Sequence, residues 1–146
     1  MLFRSVLSRS IYAEILRNPK KLSPAELGLP DLLDPENPKR PFVLGCLDRL
    51  SCFTQGTIKA IAQFLEDCSD AFVLLPNYPM CASDIVTYKL RDLGVDTSKV
   101  LELKHLPQEE YLSVVASYCT AIMDSGGEHG MHTGALLAYL QIPLLL

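Results

Sequence analysis

The sequence predicts an α/β fold, an open parallel sheet of about five strands with helices on both faces. Three observations carry that expectation. After Arg40 the chain alternates short apolar runs with longer segments of helical period. The runs are apolar at consecutive positions rather than at every second one, the pattern of strands covered on both faces. The 146 residues, 49% of them hydrophobic, suffice for one domain with its own core.

Residues 1–19 read as an N-terminal helical segment, because Leu2, Val6, Leu7, Ile11, Ile15 and Leu16 fall near helical spacing. The same stretch carries Arg4, Arg9 and Arg17 with several serines and a single acid, Glu14, which is also the composition of a mitochondrial presequence. Leu2 to Ser5 further matches the translation of a sequencing-adapter string, so the first residues read equally as a scar. Residues 20–40, punctuated by Pro24, Pro30, Pro35 and Pro38, read as a linker with at most a helical turn at Ser23 to Leu27. The domain is then expected over 41–146.

Within it, "PFVLGCL" at 41–47 suits a buried strand, and the helix in "TQGTIKAIAQFLEDC" aligns Ile58, Ile61, Ala62 and Leu65 on one face. "AFVLLP" at 71–76 is a second strand. Ser83 can cap a helix running to Leu93, with Gly94 as its stop. "KVLELKHL" at 99–106 is a third strand, followed by a helix from Gln108 to about Tyr118. "CTAIMD" at 119–124 is a fourth, and a glycine loop leads into a last helix from about Thr133 to Leu140. A fifth strand begins at Pro143. This order predicts parallel strands joined by right-handed crossovers.

Several functions are disfavoured at once. The net charge is −4 and the 13 Lys and Arg are dispersed, so neither nucleic acid nor a membrane is an expected partner. No apolar stretch reaches the roughly 20 residues of a membrane span. The five cysteines, Cys46, Cys52, Cys68, Cys81 and Cys119, form no C-x-x-C pair, which favours buried, reduced thiols and a cytoplasmic location. In open parallel sheets ligands sit outside the carboxyl ends of the strands, so the loops after Leu47, Leu75, Leu103 and Met123 are the informative ones.

"MDSGGEHGMHTGA" is the most distinctive of these loops. Its glycines permit close backbone approach, and the helix after it can turn free N–H groups toward an anion. His129 and His132 near Asp124 and Glu128 lack a third histidine, so no metal is expected. Ser125 is not in a G-x-S-x-G elbow. Cys46 and Cys52 read as buried rather than nucleophilic, and His105 as a structural histidine at a strand end.

The ordered series "ELGLPDLL", "RPFVLGCLDRLSCFTQGTIKAIAQFLEDCSDAFVLLPN", "LRDLGVDTSKVLELKHLPQEEYL" and "CTAIMDSGGEHGMHTGALLAYLQIPLLL" resembles the nucleotide-sugar-binding, C-terminal half of the protein O-linked N-acetylglucosamine transferases and their bacterial relatives. The likeness runs from about Glu26 to Leu146. It implies half of a GT-B fold, Rossmann-like, and transfer of a sugar, N-acetylglucosamine first among candidates, from a UDP donor to a protein hydroxyl. The donor is a substrate and no cofactor is implied. The partners are then a nucleotide sugar and a protein acceptor.

By the same resemblance Pro107, Gln108, Glu109, Glu110 and Tyr111 fall where the family shapes its uracil pocket. Gly130, His132, Thr133 and Gly134 match the loop that meets the diphosphate, and Asp124 ends its strand as in the family. Tyr111 reads equally as a tyrosine packed at a helix start, Thr133 as an ordinary helix cap, and Asp124 as a cap of its loop.

Two family positions differ. Cys52 stands where a lysine steadies the leaving diphosphate, with Arg49 the nearby cation and the catalytic candidate, and Leu136 replaces a ribose-binding acid. Arginine and lysine differ in geometry and hydration, so Arg49 is not an equivalent replacement. A stop at "PLLL", where the family continues, reads as a fragment. A non-catalytic interaction domain, or another Rossmann-like enzyme using the loop for a different phosphate ligand, remains open.

Overall fold

The computed structural model describes residues 18, 20–46, 53–77, 82–123 and 144–145. Its strands are β1 (Val43–Gly45), β2 (Phe72–Pro76), β3 (Val100–Leu103), β4 (Ala121–Met123) and β5 (Leu144–Leu145). The helices are α1 (Pro24–Leu27), α2 (Gln55–Asp67), α3 (Ala82–Asp92) and α4 (Gln108–Tyr118), with 3₁₀ turns at Asp31–Leu33 and Thr97–Lys99. The five strands form one sheet in the order β3-β2-β1-β4-β5, and every pairing is parallel. The expected fold class is therefore the observed one.

The alternation of side chains along each strand divides the interior into two cores. Val43, Phe72, Leu74, Leu103 and Ile122 face one side, where Leu112, Val115 and Tyr118 of α4 cover them. Leu44, Val73, Leu75 and Ala121 face the other, against Ile58, Ile61 and Leu65 of α2 and Val86 and Leu90 of α3. Hence the consecutive apolar residues: every position of β2 is buried. The start of β4 is tied to β1 by two bonds. Val43 N–H donates to Thr120 Oγ1 at 3.0 Å and Thr120 N–H to the Val43 carbonyl at 2.8 Å.

Local chemistry sets the helix ends. Thr54 caps α2 by accepting from Thr57 N–H at 3.1 Å. Gly94, at φ 85°, turns the chain after α3, and the space around its Cα is open. The conformation alone thus requires glycine there. Gly94→Ala is expected to lower stability by about 1–2 kcal/mol through backbone strain, measurable by urea unfolding.

Several expectations are corrected. Residues 20–40 do not lie apart from the core as a linker: Leu27, Leu29 and Leu33 are buried in the same cluster as α4, so the packed unit starts before Pro41. The proline-rich spacing breaks regular structure without preventing burial. Ser83 lies inside α3, and its hydroxyl donates to the Glu102 carboxylate on β3 instead of capping the helix. β3 ends at Leu103, and β4 begins at Ala121. Cys46 and Cys119 are buried thiols, but Cys68, at the end of α2, is exposed. His105, expected as a structural histidine at a strand end, is exposed and lies two residues past the end of β3. The expected helix over Thr133 to Leu140 lies outside the described residues, as do the first 17 residues.

Candidate functional site at the carboxyl edge

Parallel strands place all their carboxyl ends on one edge of the sheet. The chain runs outward from β1 through β2 to β3, then returns to the far side of β1 as β4. The gap between β1 and β4 is therefore the topological switch point, where crossovers diverge and leave a crevice. Register fixes how closely the two strand ends approach, with Gly45 paired to Ile122. Cys46 N–H continues the ladder by donating to the Leu74 carbonyl at 2.9 Å.

The two segments that leave this crevice carry most of the predicted site residues. Arg49 follows β1. Asp124, Gly130, His132, Thr133 and Gly134 follow β4. All six lie outside the described residues, and the structure gives the positions of the strand ends from which their segments depart.

The remaining candidates follow β3. Pro107 is exposed and precedes α4, and its carbonyl accepts from Tyr111 N–H at 2.8 Å. Gln108 is the first residue of α4. Tyr111 is half-buried and packs against the core cluster beneath α4, the geometry of the tyrosine-at-helix-start reading. Glu109 is exposed, while Glu110 pairs with Lys20 at 3.2 Å. β2 separates β3 from β1, so the strand that leads to this group stands about 10 Å, two strand spacings, from β1 at the switch point.

Sequence reasoning missed the Ser83–Glu102 bond at this edge, and the separation of 19 positions between the partners explains why. No local motif signals it. Asn77 N–H, just after β2, donates to the Leu103 carbonyl at 3.1 Å and closes the β2–β3 end.

The groups with displaced pKa values sit at the opposite edge. Burial pushes Tyr118 up to about 12, with repulsion from Asp34 and Glu26 adding to it. Burial likewise pushes the Cys119 thiol up to about 12 against the opposing charge of Arg40. Hydrogen bonds from the Ser98 hydroxyl and N–H hold the Asp96 carboxyl below its ordinary value. A cleft of about 400 Å³ at that edge, lined by Leu65, Glu66, Leu93, Asp96 and Lys99, is remote from the switch point. Among the described residues no cluster of three His, Cys, Asp or Glu could hold a metal, and no helix is long and apolar enough to cross a membrane.

No family model matches the chain, and no curated protein matches it. Among solved structures, a mutant O-GlcNAc transferase from Thermobaculum terrenum matches with a TM-score of 0.64 at 20% identity. The match covers 71% of this chain and 20% of that one, so the chain spans about a fifth of the transferase's length. The likeness is one of fold.

Proposed function

We propose that this chain is the donor-binding domain of a GT-B glycosyltransferase, which transfers N-acetylglucosamine from UDP to a hydroxyl of a protein. The observation that carries the reading is the switch point between β1 and β4 in a fold shared with an O-GlcNAc transferase. Both segments bearing the phosphate-binding candidates leave from it. The about 10 Å between β1, beside that crevice, and β3, which leads to α4, suits an extended nucleotide better than a lone phosphate.

In this reading Gly130, His132, Thr133 and Gly134 cradle the diphosphate with backbone N–H groups and the threonine hydroxyl. Tyr111 stacks on the base, Pro107 and Gln108 shape its pocket, and Asp124 borders the crevice. Arg49 neutralises charge on the departing UDP as the bond from the anomeric carbon to the diphosphate oxygen breaks and the acceptor oxygen bonds to that carbon. Catalysis is then positioning plus electrostatic stabilisation of the leaving group. A second reading, a non-catalytic domain that keeps the fold, is favoured by Cys52 and Leu136 at positions where the family resemblance implies a lysine and an acid.

Titration of the chain with UDP, and with ADP for comparison, separates them. Saturable binding that prefers UDP is expected, weakened about 10- to 100-fold in Arg49→Ala and less in Thr133→Ala, as for loss of a charged and a neutral hydrogen bond. A folded chain that binds neither nucleotide would support the non-catalytic reading. Preference for ADP would indicate a different phosphate-ligand enzyme.

A further inference from the structure

The geometry points to residues 20–40 as a strap that positions the first turn of α4, with Ser113 as the relay through which it acts. Its consequence for ligand affinity rests on the donor-site reading; its mechanical part does not.

The strap meets α4 at three successive levels. Lys20 Nζ pairs with Glu110 at 3.2 Å, and Lys20 N–H donates to Ser113 Oγ at 3.3 Å. The Tyr118 hydroxyl donates to the Leu22 carbonyl at 2.5 Å, and the Arg40 guanidinium donates to the carbonyls of Ser117 and Tyr118 at 3.0 and 3.2 Å. The partners on α4 are Glu110, Ser113, Ser117 and Tyr118, so the contacts run from its first turn to its end.

Ser113 links the strap to the helix start. It is fully buried, accepts from Lys20 and donates to the Glu109 carbonyl at 2.9 Å. A chain of bonds thus runs from the strap to the turn that carries Tyr111. Leu27, Leu29 and Leu33 of the strap pack in the same apolar cluster as α4, while beside these bonds a cleft of about 340 Å³ remains between strap and helix, lined by Lys20, Lys21, Asp34, Glu36, Ser117 and Tyr118. The Lys20–Glu110 pair is itself exposed on the lysine side and contributes little alone. The buried hydroxyl is the stronger latch.

Amide hydrogen exchange on the intact chain tests this. Ser113→Ala, nearly isosteric, is expected to raise exchange in α4 relative to α2 about five- to tenfold, the effect of losing one or two hydrogen bonds. Lys20→Met should give a smaller rise, reversed in Lys20→Arg. An unchanged α4 to α2 ratio overturns the strap, whether both helices accelerate together or neither does. UDP titration of Ser113→Ala is the second readout, with weaker binding expected than in the unmodified chain. If the unmodified chain binds no UDP, the donor-site reading fails while the exchange ratio still decides the strap. Normal UDP affinity alongside faster α4 exchange overturns the positioning role.

Discussion

Stability is expected to fall by on the order of 4 kcal/mol more between pH 8 and pH 11 in this chain than in one lacking both Tyr118 and Cys119. The two groups are adjacent, nearly inaccessible to water and neutral in the folded state. Burial raises Tyr118 from 10.0 to about 12 and Cys119 from 9.0 to about 12. In the unfolded chain each loses its proton near the lower value. Above that pH the unfolded state binds fewer protons than the folded one, so stability declines as pH rises. The contribution is whole below about pH 9 and is lost progressively toward pH 12, at about 1.4 kcal/mol per pH unit per group.

Urea unfolding at the two pH values, for the chain and for Tyr118→Phe and Cys119→Ala, checks it. Each variant removes one titration, so its own pH-dependent loss should be smaller, whatever offset the substitution adds at pH 8. Equal losses in all three proteins would show that these groups ionise normally and are not the alkaline weak point.

The second large effect distinguishes this sheet from one with a solvated face. Leu74 and Leu75 are neighbours in β2, and both are essentially inaccessible, at 0% and 1%. They belong to different cores, Leu74 beneath α4 and Leu75 against α2 and α3. Truncation to alanine at either is expected to cost about 2–5 kcal/mol, through lost transfer energy and a residual cavity. Chemical denaturation of the two variants measures it. A near-neutral result at one position would mean that its face is not closed, contrary to the two-core arrangement.

How much of this was legible in advance depends on the range of the interactions involved. α4 was readable from Gln108 to Tyr118 because its period is local, and the strands were found because burial on both faces leaves runs such as "FVLLP". The strand ends were less readable. Leu106 extends the run in sequence, yet the ladder stops at Leu103, which is paired with Pro76 at the end of β2. Of the candidate site, Pro107, Gln108 and Tyr111 occupy the start of α4 as expected, and Tyr111 has a packing role there.

The strap shows the opposite case. Pro24, Pro30, Pro35 and Pro38 describe how that segment cannot fold, and from composition alone a linker was the natural reading. Its burial depends on Leu27, Leu29 and Leu33 finding α4, and on bonds between residues 77 to 96 positions apart. No window along the chain contains both partners.

By itself the sequence determined the element types, their alternation and hence the fold class, because helical period, apolar runs and turn residues act over a few positions. The tertiary structure alone decided the strand order and with it the switch point between β1 and β4. It also decided the division of one apolar inventory into two cores and the enlistment of a proline-rich segment to hold α4. Those outcomes arise from contacts between distant segments, where burial and hydrogen-bond satisfaction are settled by the whole chain at once.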